Sequence, residues 1–191
     1  MQHQMRSDAQ RNRERILAVA LAELTRSAEV PLSVIAKKAG VGQGTFYRHF
    51  PSREALVLEI YRHEMQQVAD VAGQLLQTLA PDQALRQWMD HLAGFAVAKA
   101  GLAGAMRLAT SGADAPEKPG YASIGAAAEV LLRANEAAGT IRPGVTTDDF
   151  FLAVAGLWQV DASGDWPPRL TRLLDLVMDG LRAGAPARSP E

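Results

Sequence analysis

Apolar residues recur along this chain at the spacing of helical turns. The two-residue alternation of a half-buried strand is almost absent. That pattern excludes sheets and barrels and predicts an all-α fold. Gly and Pro cut the chain into about nine helical segments, with no internal repeat.

The first segment spans Arg11 to Arg26, with Ile16, Val19, Ala20 and Leu24 on one face. Pro31 opens a short second helix, where a missing N–H costs little. Leu32, Ile35, Ala36 and Ala39 face inward, and Gly40 ends it. Gly40 to Gly42 form a tight turn. A third short helix, Gln43 to Phe50, buries Phe46 and Phe50 at i and i+4 and leaves Thr45, Tyr47, Arg48 and His49 outside. Pro51 stops it, and Ser52 caps a long fourth helix to about Thr78. Further helices are expected over Asp82–Lys99, Leu102–Thr110 and Tyr121–Ala138. An eighth, capped by Thr147 or Asp148, reaches Val160, and a ninth carries Leu170 to Leu181. Ser111–Gly120 reads as a loop, and residues 185–191 as a disordered tail.

Charge separates the two ends. Residues 1–53 hold nine Lys/Arg and four Asp/Glu, a net of +5, within a chain of net charge −1. A basic end on an acidic chain suits contact with a polyanion, although chance clustering on a solvated surface gives the same count. There are no cysteines, which excludes disulfides and thiolate metal sites and fits a cytoplasmic protein. The longest apolar run, Phe150 to Trp158, is too short to span a bilayer. No metal-ligand spacing, nucleophile elbow or phosphate-binding loop is present, so neither a cofactor nor an enzyme is expected.

Three short helices around a glycine-marked turn describe a helix-turn-helix, whose last helix enters the major groove. The string IAKKAGVGQGTFYRHFPSREAL, Ile35 to Leu56, resembles the DNA-binding domain of the TetR/AcrR family of bacterial transcriptional regulators. The resemblance covers roughly residues 11–60. It implies that Gln43, Gly44 and Thr45 sit deepest in the groove, with Gln43 and Thr45 reading bases. It further implies phosphate contacts from Tyr47, His49 and Arg53, and backbone contacts from Ser33 and Lys37. Arg48 adds a cation beside them. Pro31 departs from the family's usual Ser or Thr cap, and Leu24 from its usual Phe.

The resemblance also implies a helix-turn-helix domain over residues 1–51 and an effector-binding, dimerising domain over 52–184. The expected partners are a palindromic double-stranded DNA operator, a second copy of the chain and an unknown small-molecule effector. Lining candidates between the fourth and seventh helices are Tyr61, Met65, Trp88 and His91, with Phe95, Met106, Arg107 and Asn135. The same residue types fill ordinary helical cores. Interface candidates are Phe151, Val154 and Trp158 on the eighth helix, with Leu170, Leu174, Val177, Met178 and Leu181 on the ninth. The implied function is a ligand-responsive homodimeric repressor. The alternative is a DNA-binding regulator without a small-molecule effector, governed by a protein partner or binding constitutively.

Overall fold

In the computed structural model, residues 2–102, 121–159 and 167–186 are described. Among them the chain is all-α. Its helices are α1 (Gln2–Arg26), α2 (Leu32–Lys38), α3 (Gln43–His49), α4 (Arg53–Thr78), α5 (Pro81–Gly101), α6 (Tyr121–Ala137), α7 (Thr147–Ala153) and α8 (Pro167–Arg182). A 3₁₀ turn, Ala155–Gln159, follows α7. The expected helix over Leu102–Thr110, the loop Ser111–Gly120 and most of the tail lie outside the described residues. So do Met106 and Arg107. No described helix is long and apolar enough to cross a membrane.

The described residues fall into two compact units. One runs to His63 and includes Leu102; the other comprises Glu64–Ala100 and the residues from 121 on. The first core thus reaches past residue 51 into the start of α4. Leu56, Val57 and Ile60, on the first two turns of α4, are fully buried in the same core as Ile16, Leu24, Ile35, Phe46 and Phe50. Helix α1 and the two short helices α2 and α3 leave part of their apolar faces open, and the start of α4 supplies the missing wall.

In the second unit α5 buries Leu85, Trp88, Met89 and Leu92, and α6 buries Ile124, Ala128 and Leu131. The Trp88 indole N–H donates to the Val68 carbonyl at 2.8 Å, and its ring lies 6.0 Å from that of Phe150. Asn135 is the one buried polar residue among those described. Its amide donates to the carbonyls of Pro81 and Leu131, and its carbonyl accepts from the Thr140 hydroxyl at 2.7 Å. Those bonds tie the ends of α5 and α6 and offset the desolvation of the amide.

Helix boundaries differ from expectation at three places. Helix α1 begins at Gln2 instead of Arg11. Helix α7 is capped by Thr146, whose hydroxyl accepts from the Asp149 N–H while the Asp149 carboxylate accepts from the Thr146 N–H. This reciprocal capping box satisfies two end donors at once, which neither Thr147 nor Asp148 does. The α-helix then ends at Ala153 and tightens into the 3₁₀ turn.

Candidate nucleic-acid interface

The turn between α2 and α3 follows directly from its residues. Ala39 ends α2, and Gly40 takes a left-handed conformation with φ +66°. Gly40 N–H donates to Lys37 O and Val41 N–H to Ala36 O. This is a Schellman closure, and the left-handed residue at its centre favours glycine. It turns the chain sharply enough to bring Ile35 and Phe46 into one core. Phe46 and Phe50 lock the inner face of α3, with ring centroids 5.7 Å apart.

The outer face of α3 then follows. Gln43, Gly44, Tyr47 and Arg48 are exposed, and Thr45 and His49 are half-buried. Tyr47 is 43% exposed, and its ring stands edge-on to Phe46 at 5.7 Å. A methyl group added at Gly44 would meet nothing within 4 Å, and at Gly42 likewise. Neither glycine has a positive φ. A helical glycine with neither strain nor a close neighbour lowers stability and returns nothing inside the protomer. Arg48 lies along the same surface, donating to Gly44 O and to the Thr45 hydroxyl at 3.1 Å each. Lys37 is exposed and Ser33 half-buried on α2. Val34, also on α2 and 37% exposed, is a surface apolar residue that the sequence reading did not single out.

Several basic residues of this unit have carboxylate partners. Arg13 meets Glu59 at 2.7 Å and lies over the Phe50 ring at 5.4 Å. Lys38 meets Glu23 at 2.7 Å, and Arg26 meets it at 2.9 Å. Arg53, expected to grip a phosphate, is turned toward the backbone of its own chain in this structure. Its guanidinium donates to the carbonyls of Ala28, at 2.7 Å, and Val30. Spacing along the sequence gives no sign of this, because it depends on where the α1–α2 connection passes.

The hydrogen bond from Lys38 holds the Glu23 carboxyl below its ordinary 4.5, with charge attraction from Lys38 and Arg26 adding to it. Hydrogen bonds from its own backbone N–H and from Ser52 lower Glu54 in the same way. A carboxyl depressed in the folded state contributes stability that is full above the unfolded value. The contribution is lost as pH falls through the folded value. Melting of the N-terminal unit is therefore expected to move to lower temperature as pH drops below 4.5. Glu23→Gln should flatten that dependence; an unchanged pH profile in the variant would show that the Glu23–Lys38 bond does not contribute.

The chain matches two family descriptions: "Bacterial regulatory proteins, tetR family" over residues 16–60, and "Transcriptional regulator SbtR-like, C-terminal domain" over residues 80–183. It belongs to the TetR family of bacterial transcriptional regulators. TetR regulator SCO0520 of Streptomyces coelicolor is 39% identical, with 89% of this chain and 98% of that one covered and a TM-score of 0.78. A TetR regulator of Mycobacterium vanbaalenii is 33% identical over 93% and 99% of the two chains, with a TM-score of 0.69. LfrR of Mycobacterium smegmatis, solved in complex with proflavine, is 25% identical over 92% and 96%, with a TM-score of 0.57. No curated protein matches. As a TetR-family member the protein is a non-enzymatic, DNA-binding transcriptional regulator.

Outside the TetR helix-turn-helix, the expected pocket residues divide between core and surface. Tyr61, Met65, Trp88 and Asn135 are buried, and the polar atoms of Trp88 and Asn135 bond to neighbouring residues of the chain. His91 is exposed, not embedded in an apolar helix face as its sequence neighbours suggest. With Phe95, Val71, Gln87 and Asp90 it lines a groove of about 670 Å³ between α4 and α5.

Val154, Leu174 and Met178 are fully buried in their own protomer, and Leu170 and Leu181 keep only 9% and 7% of their surface. Their spacing is the inward stripe of α8 and of the segment after α7. Val177 and Phe151 are half-buried, and the side chain of Trp158 lies outside the described set. The exposed apolar residues here are Leu152 and Leu176, at 75% and 68%. Leu176 and Val177 line a second groove, of about 490 Å³, with Phe150, Ala153 and Val145. Leu176 falls off the inward stripe, and that displacement is the sequence signal for it.

Proposed function

We propose that the protein is a homodimeric repressor that places α3 of each protomer into successive major grooves of a palindromic operator and is released by a small-molecule effector. The carrying observation is the outer face of α3. Gly44 has no internal reason to be glycine, so its missing side chain serves the approach of something outside the protomer. Gln43 and Thr45 beside it have the donors and acceptors to read base edges, and Tyr47 and His49 flank them toward the phosphates. Lys37 and Ser33 reach the DNA backbone from α2 in this reading.

Dimerisation is supported by Leu152 and Leu176, large apolar side chains left in water. Phe151 and Val177 extend that surface. Effector control is supported by the groove at His91 and Phe95, and by the proflavine complex of the related LfrR. A second reading, control without a small molecule, is favoured by a different observation. Trp88 and Asn135 use their polar atoms on the chain itself, as core residues do.

The test is selection of bound duplexes from a random DNA pool at fixed moderate salt. A palindrome should be enriched, and compounds can then be screened for its release. Gln43→Ala should alter the preferred bases more than the overall affinity. Gly44→Ala should keep or slightly raise stability, by up to about 1 kcal/mol, yet weaken binding to every sequence. An unaltered preference in Gln43→Ala would remove that residue from base reading, and full binding by Gly44→Ala would remove the close approach.

A further inference from the structure

We infer that Arg53 is a positioning residue for DNA recognition, a clasp that joins the start of α4 to the entrance of α2 and so holds the α2–α3 segment from both ends. This rests on reading α3 as the recognition helix.

The side chain is half-buried at the first turn of α4. One terminal nitrogen donates to Ala28 O at 2.7 Å and the other to Val30 O. These carbonyls are two residues apart in the connection between α1 and α2. Arg53 itself lies three residues beyond Phe50, the C-cap of α3. The fork therefore closes residues 31–52, the whole helix-turn-helix, into a loop pinned at its neck.

The neck needs such a pin. Helix α2 starts from Pro31, which makes no side-chain cap. Its first turn is held by Val34 N–H and Ile35 N–H donating to Pro31 O, at 3.0 and 3.3 Å. Val30 N–H donates to Ser27 O at 3.2 Å, which shapes the connection but does not fasten it to α4. A guanidinium suits this task. It is planar and rigid, and it presents two N–H donors in a fixed fork to two separate acceptors. An ammonium at the same place keeps the charge but loses the fork. The two side chains thus separate a clasp from a simple phosphate contact, which a point charge satisfies.

The experiment compares Arg53→Lys and Arg53→Gln with the unaltered chain. Amide hydrogen exchange is measured on the free protein, and affinity for the enriched duplex is measured across a salt series. For a clasp, both variants speed exchange at Val34 and Ile35. Arg53→Lys then weakens binding about tenfold, and the slope of log K against log salt stays as it was. Two results would overturn the inference. One is Arg53→Lys binding as tightly as the unaltered protein with unchanged exchange. The other is Arg53→Gln lowering the salt slope by about one per protomer with exchange unchanged. Absence of any enriched sequence for the unaltered protein would sink the recognition reading instead. The exchange comparison, made without DNA, still decides for or against the clasp in that case.

Discussion

Phe46→Ala should unfold the helix-turn-helix and abolish DNA binding in the same step. Phe46 is fully buried at the centre of the first core, against Phe50 and the ring of Tyr47. Truncating a buried Phe costs about 3–5 kcal/mol, through lost transfer energy and the cavity left behind. A small unit has little more than that in reserve. The matching control is Tyr47→Ala. Tyr47 is 43% exposed, so stability should change by no more than about 0.5 kcal/mol while DNA binding weakens. Thermal melts by circular dichroism, run beside duplex-binding titrations, separate the two. Phe46→Ala melting like the unaltered protein would show that this core does not carry the unit.

Binding should fall steeply with salt, but less steeply than the count of basic residues suggests. A basic N-terminal segment of net +5 invites the expectation of a phosphate contact from every cation. The structure gives Arg13 and Lys38 to carboxylates, and turns Arg53 toward backbone carbonyls. Of the cations proposed at the interface, Lys37 and Arg48 then remain on each protomer. On the proposed dimer these cations would give about four phosphate contacts. At about −0.9 per contact the log–log slope is about −3.6, or roughly a hundredfold loss between 50 and 200 mM salt. If Arg13, Lys38 and Arg53 were also engaged, about ten contacts would raise that loss to roughly 10⁵-fold. The measurement is a titration of one duplex at several salt concentrations. A slope near −9 would mean that the ion pairs of the free protein open on DNA, and a flat response would remove the phosphate contacts altogether.

What could be read in advance differs between the two halves for a physical reason. In the first unit the string from Ile35 to Leu56 specifies local geometry at nearly every position. Gly40 takes the left-handed turn, Pro51 lies just beyond the end of α3, and Ser52 caps α4 through the Ala55 N–H. The inward Phe46 and Phe50 leave Gln43, Gly44 and Tyr47 no face but the outer one. In the second unit the helical period locates apolar stripes but not what covers them. Val154, Leu174 and Met178 have the composition of an interface and the burial of a core. Leu152 and Leu176 have the same composition and stand in water, Leu176 marked only by its place off the inward stripe.

Local signals thus determined the helices, their stops and the outward face of α3, because each depends on residues within a turn or two. Partnership across the fold was decided by the tertiary structure alone. Arg53 meets Ala28 and Val30, Arg13 meets Glu59, and Asn135 meets Pro81, across separations of 25, 23, 46 and 54 residues. A long polar side chain takes whichever acceptor the packed helices bring within reach. No periodicity along the chain encodes that choice.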